Sequence, residues 1–323
     1  MILRIAIWFA LLTPLLVKGQ DFKERQAEAL RILENFKNDS IKSAIFDFPK
    51  DTFVSHLEKI ILEPISANQT NMTNFCGKAA PFCFLGMAYE PDKMTEFLID
   101  LFVKGKSTFR NCKKEIEVEI PSEYYKEINL EVKGMHDGYT RIDTLKINAG
   151  FALFSYALTF EYTSKLNRGK KYKRGDENDI WGATTMGIEK KVVRDFFGLN
   201  FRSFGSNFLL DPFKGTLKKR LDFKDNEYVF LLVNGRKLHR QKMRHKGIGT
   251  HWIVLKEVFE QDGKKMAQWW EYGEIYEDEF EVLDEALSGG VIISMPKKCE
   301  AWDEIKTPIF RKFSKGNEKK ETE

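Results

Sequence analysis

Cysteine and histidine are scarce: the 323 residues include four of the first and five of the second. No two cysteines form a CxxC pair, which excludes the usual zinc-ribbon and thioredoxin-type sites. An excess of one charge is missing too, with 52 Lys and Arg against 48 Asp and Glu and a formal charge of +4. That balance gives no ground for a nucleic-acid binder. Past the first 19 residues no apolar run approaches the roughly 18 needed to span a bilayer, and no internal repeat is visible. What remains is an ordinary globular composition, 42% hydrophobic and 31% charged, which rules out wholesale disorder and collagen-like repeats.

Residues 1–19 read as a secretory signal peptide. Arg4 is the positive n-region, Ile5 to Val17 the apolar h-region, and Val17-Lys18-Gly19 a small-residue cleavage site before Gln20. The alternative is an uncleaved anchor. Without this leader, 50 basic side chains face 48 acidic ones. The expectation is a secreted, extracellular protein with no membrane span. Three N-glycosylation sequons, Asn38-Asp39-Ser40, Asn68-Gln69-Thr70 and Asn71-Met72-Thr73, are compatible with a eukaryotic secretory route. In an oxidising compartment Cys76, Cys83, Cys112 and Cys299 can be read as two disulfides in one of three connectivities, or with Cys76 as a free thiol. Cys83 follows Cys76 by about 10 Å of helix, too far to pair with it undistorted.

Residues 20–66 read as an N-terminal helical region or propeptide, 67–310 as one α+β domain, and 311–323 as a charged, structureless tail. Helices are predicted at Asp21 to Asn38, Pro49 to Leu62, Cys76 to Glu90 (closed by Pro91), Asp92 to Lys104 (stopped by Gly105) and Ala149 to Thr163. Lys113 to Lys133 holds short alternating runs. Thr185 to Phe197 reads as a helix ended by Gly198, and Gly215 to Asp222 as another. Strands are expected at Tyr228 to Val233, His251 to Val258, Lys264 to Trp270 and Gly290 to Met295, with an Asp262-Gly263 hairpin turn. Helices followed by an antiparallel sheet make an α+β layout. The basic stretches Lys165 to Arg174 and Arg236 to Lys246, with six Lys or Arg each, read as solvated loops. Spacing of six between His239, His245 and His251 invites a metal reading, which so many neighbouring cations oppose.

Two segments carry candidate chemistry. In Asn74-Phe75-Cys76-Gly77-Lys78-Ala79-Ala80 a cysteine opens a helix, where unpaired N–H groups favour a thiolate and can face an oxyanion. In Gly247-Ile248-Gly249-Thr250-His251-Trp252-Ile253-Val254-Leu255 a histidine enters an apolar strand after a glycine-rich loop. A nucleophile on a helix start facing a base on a strand is what a thiolate–imidazole pair needs. The plainer readings are a buried or bonded cysteine and a packed strand-end histidine.

The first segment resembles the Cys-Gly-Pro-Ala-Ala nucleophile motif of papain-like cysteine peptidases, in the branch that includes bacteriocin-processing peptidases. His251-Trp252-Ile253-Val254-Leu255 is similar to the strand bearing that family's base. Ile180 to Glu189 is similar to its threonine-led helix start, and Trp270-Glu271-Tyr272-Gly273 with Gly289-Gly290-Val291-Ile292-Ile293 to its final hairpin and strand. The resemblance covers roughly Asn68 to Met295. It implies a papain-like fold in which a helical layer carrying the nucleophile packs on an antiparallel sheet carrying the histidine. It also implies Cys76 as nucleophile, His251 as general base, Glu271 as the group orienting the imidazole, a peptide or protein substrate, and no cofactor or metal. The family's oxyanion glutamine falls about six residues before the cysteine. Here Thr70 holds that place, Gln69 is one residue further away and Asn71 is one nearer. Lys78 stands where the family has proline, a cation that opposes the helix dipole but would attract an acidic substrate. These departures give the alternative expectation of an inactive papain-like binding protein. Chance likeness would instead leave Cys76 and His251 far apart.

Overall fold

The computed structural model describes residues 22–41, 45–67, 73–111, 113–128, 130–136, 141–162, 171–176, 181–206, 227–240 and 249–294. The leader, the helix expected at Gly215 to Asp222, the charged tail, His245, Cys112 and Cys299 lie outside them, as do Gln69, Thr70 and Asn71.

The fold is α+β. Helix α1 (22–38) and helix α2 (Lys50–Leu62) lead into α3 (Cys76–Ala80), which runs on as a π-helical stretch, Pro81–Met87. Proline at position 81 has no N–H to donate back, so the run expected as one helix continues in wider turns, with Ala88 N–H reaching Cys83 C=O at 3.0 Å. Pro91 does not merely close that run. It opens α4 (Pro91–Lys104), where a missing N–H costs nothing. Gly105 ends α4 at φ 73°, its N–H returned to Leu101 C=O.

Two small antiparallel hairpins follow: β1 (Lys106–Arg110) with β2 (Glu115–Glu119), and β3 (Glu131–His136) with β4 (Arg141–Lys146). Helix α5 (Ala149–Glu161), capped by Asn148, is buried nearly all round. Its Phe151, Phe154 and Tyr156 rings pack against Phe75, Phe82 and Phe196. Helix α6 (Met186–Lys191), capped by Thr185, also relaxes into a π turn, Val192–Phe196, before Gly198 at φ 69°.

The main sheet comprises β5 (Asn200–Gly205), β6 (Glu227–Val233), β7 (His251–Gln261), β8 (Lys264–Glu271), β9 (Glu274–Glu279) and β10 (Leu287–Ser294). Its order is β5-β10-β6-β7-β8-β9, antiparallel throughout. The expected hairpin turn joins β7 to β8, with Asp262 at φ 51° and Gly263 at φ 73°. One-turn α7 (Gly235–Leu238) follows β6, and α8 (Phe280–Ala286) lies between β9 and β10.

Side chains alternate across the sheet and build two cores. Tyr228, Phe230, Leu232, Trp252, Val254, Trp270, Val291 and Ile293 join the helical layer. Val229, Leu231, Ile253, Leu255 and Trp269 meet Phe280 and Leu283 of α8 on the other face. Helices α1 and α2 belong to the same core as α3. Phe36 and Phe53 pack on Phe102, and Trp270 donates its indole N–H to Ile65 C=O at 2.9 Å. Among the described residues no helix is long and apolar enough to cross a membrane.

Candidate active site

Antiparallel pairing gathers three chain segments at one end of the sheet. His251 opens β7 opposite Val233 at the end of β6, and Trp270 near the end of β8 pairs with Val254. The same end therefore holds His251, Glu271 and the turn after β6. Helix α3 packs against β7 and brings Cys76 to this end.

Close approach of α3 depends on the loop before α6. A Cβ added to Gly77 would lie 2.4 Å from the Thr184 Cβ, so only glycine allows the contact. Thr184 then ties three elements together. Its carbonyl accepts the Trp252 indole N–H at 2.8 Å, and its hydroxyl accepts from Lys78 Nζ at 3.0 Å. Lys78 also donates to Gly182 C=O at 2.7 Å. The lysine that the sequence offered as a substrate attractant is thus buried, 1% exposed.

Cys76 is a free thiol, 7% exposed, hydrogen-bonded to the His251 side chain and to the backbone N–H of Trp252. Burial alone would push the thiol up. The hydrogen bond and charge of His251, with the Trp252 N–H, outweigh it and hold Cys76 below the ordinary thiol range. Burial would likewise lower the imidazole, but its bond to Cys76 and the Glu271 carboxylate beside it raise it to about 9. The two shifts run in opposite directions because each group favours the charged form of the other.

Glu271 lies behind the imidazole, fully buried, with Oε2 2.8 Å from His251 Nε2. That short separation is an ion-pair contact and not an aligned hydrogen bond, because the ring N–H points off the carboxylate. With Nε2 turned to Glu271, Nδ1 is left to face the sulfur. Two donors reach Glu271: the Trp269 indole N–H bonds Oε1 at 3.1 Å, and His239 Nε2 bonds Oε2 at 3.3 Å while lying 3.1 Å from Oε1. Burial pushes this carboxyl up, yet His239 and His251 beside it bring it down to about 2. Tyr272 stacks on the imidazole with ring centroids 4.6 Å apart, from a left-handed turn position at φ 49°.

The structure therefore brings Cys76, His251 and Glu271 together, while Gln69 lies outside the described residues. Cys83 is also a free thiol. The reading of all four cysteines as two disulfides is accordingly not realised, for Cys83 is buried in the helical core and bonded to Ala67 backbone.

Sequence reasoning missed His239, Trp269 and Tyr272 as partners of this cluster. Proximity of Glu271 to two tryptophans offered a faint signal for Trp269, and His239 was hidden among six cations. Another missed group is Glu189, fully buried with both carboxylate oxygens unpartnered. Burial lifts its carboxyl well above the ordinary range, against the pull of Lys78. Among the described residues no group of His, Cys, Asp and Glu is arranged to hold a metal. No protein-family model matches the chain, and no curated protein matches it in sequence.

Proposed function

We propose that the protein is a secreted papain-like cysteine hydrolase that cleaves amide or peptide bonds. The observation that carries this reading is the Cys76–His251–Glu271 series, in which a free thiol below its ordinary pKa range meets an imidazolium backed by a buried carboxylate. The Cys76 thiolate attacks the substrate carbonyl carbon. His251 then gives its proton to the leaving amine as the C–N bond breaks, leaving a thioester on Cys76. Water attacks that thioester, His251 takes the water proton, and the carboxylic acid departs as sulfur leaves. Backbone N–H at Cys76 faces the oxyanion, and Gln69 is the candidate for a second donor. An amine in place of water would turn the same site into an acyl transferase.

A second reading, a non-catalytic binding protein on this fold, is favoured by how little of Cys76 and His251 is exposed, 7% and 5%. One experiment separates the two. The chain is incubated with a denatured proteome digest, and new peptide termini are sequenced beside a Cys76→Ser control. New termini together with a thioester mass on Cys76 support the hydrolase. Identical peptide sets, with peptides retained on both proteins, favour the binding protein.

A further inference from the structure

Glu271 touches two imidazoles, and only one of them meets the thiol. His239 follows α7, whose start is capped by Asn234 accepting from Lys237 N–H at 3.0 Å. The turn is pinned across the sheet end. Arg240, at φ 54°, donates to Asp278 on β9 at 2.8 Å, and the His239 ring meets Tyr276 edge-on with centroids 6.0 Å apart. Its Nε2 lies 3.1 and 3.3 Å from the two Glu271 oxygens. The charged and titratable groups around it are Glu271 of β8, His251 of β7 beyond that carboxylate, Tyr276 of β9, the Arg240–Asp278 pair, and Lys237 with Glu285 of α8.

A fully buried carboxylate is tolerable only where donors surround it. Of the three groups around Glu271, Trp269 donates to it but shares its strand and moves with it. His251 is the group to be oriented, and its N–H is not aligned on the carboxylate. His239 alone is anchored on another element and holds the carboxylate from the far side.

We propose that His239 is a positioning residue: by donating Nε2–H to Glu271 it fixes the carboxylate in the orientation that keeps His251 charged beside Cys76. This rests on reading Cys76 and His251 as a reactive pair. The residue is one-third exposed, so its ring is also the solvent-facing end of a series that runs His239, Glu271, His251, Cys76. Second-layer donors of this kind set the basicity of the group they orient.

The test is the pH profile of Cys76 alkylation by iodoacetamide on the full chain, resolved by peptide mass spectrometry, so that no substrate is needed. His239→Phe keeps an aromatic ring against Tyr276 and removes the donor. His239→Gln restores an N–H near the same place. The expected result for His239→Phe is a rate at pH 6 about tenfold lower, with the thiol midpoint about one unit higher, the loss of one charge-assisted hydrogen bond. For His239→Gln it is a profile within about twofold of wild type. In a Glu271→Gln background the Phe change adds nothing further, because its route is gone. Superimposable profiles for wild type and His239→Phe overturn the proposal, as does a Gln variant that falls as far as Phe. If the Phe variant does not fold, His239→Leu, which also removes the donor, takes its place against the same Gln control. A wild type with an ordinary thiol midpoint instead sinks the Cys–His reading itself, and this proposal with it.

Discussion

Two free thiols on one helical run have opposite chemistry. Cys76 and Cys83 are both buried, seven residues apart, yet one thiol is held below its ordinary range and the other is pushed well above it. Burial acts on both in the same direction. What differs is the neighbour: Cys76 faces the sheet end, where His251 and the Trp252 N–H meet the sulfur, whereas Cys83 faces apolar core and one backbone contact at Ala67. Two buried carboxylates repeat the lesson. Glu271 has two hydrogen-bond donors and the His251 ring against it and sits at about 2, while Glu189 has both oxygens unpartnered and sits well above the ordinary range. With burial common to all four, the donors around each group decide the direction of its shift.

The largest expected effect comes from removing the donor that distinguishes Cys76. On the hydrolase reading proposed above, His251→Ala is expected to lower kcat/KM for peptide cleavage by on the order of a thousandfold, the span of a lost acid–base catalyst. In the wild type, cleavage falls on the acid side as Cys76 is protonated. It falls again above about 9, where His251 no longer holds the proton for the leaving amine. A pH–rate series on both proteins checks this.

Next is Glu271→Ala, which leaves two imidazoles facing a vacated buried site and destabilises by about 3 kcal/mol in urea unfolding at neutral pH. The folded carboxyl at about 2 lies below its ordinary value of 4.5. Its contribution is therefore present above 4.5 and is lost as pH falls toward 2, so the gap between wild type and variant narrows in acid.

Gly77→Ala follows, at about 1–3 kcal/mol, because the new methyl must displace Thr184 and with it the Lys78 and Trp252 bonds. Thermal unfolding and the Cys76 alkylation rate report the two consequences separately.

The smallest effect is Glu189→Gln. A raised folded pKa means that the carboxyl destabilises the fold increasingly as pH rises above its ordinary value of 4.5. The variant is accordingly more stable by up to about 1 kcal/mol at neutral pH and indistinguishable from wild type near pH 4. Thermal midpoints at the two pH values check the sign.

Much of this arrangement is legible in the chain because it obeys local rules. Strands β6 and β10 are buried almost throughout and, with the first half of β7, read as apolar runs, and β8 ends on the buried Trp269 and Trp270. The Asp262-Gly263 turn, the Thr185 cap and the Gly105 stop occur where their backbone preferences place them. Strands β5 and β9 were not legible. They are the two edges of the sheet, and Asn-Phe-Arg-Ser-Phe-Gly and Glu-Ile-Tyr-Glu-Asp-Glu carry the polar residues that keep an edge from pairing with another chain. In the site, Cys76 and His251 stood out by their settings on a helix start and a strand start, whereas Glu271 came from the family resemblance alone. His239 could not be found that way. Its contact with Glu271 comes from β6 and β8 flanking β7, a fact of topology that no local pattern encodes, and its cationic neighbours made it look like solvated loop.

The difference between the two thiols is also the most direct point of attack. Alkylation of Cys76 and Cys83 would be followed in one sample of the non-reduced chain across mildly acidic to alkaline pH, each peptide resolved by mass spectrometry, beside His251→Ala. The account predicts rapid labelling of Cys76 in mild acid, none of Cys83 in the folded protein, and a Cys76 rate in the variant that rises only toward alkaline pH. Equal and slow labelling of both cysteines, unaffected by His251→Ala, would contradict it.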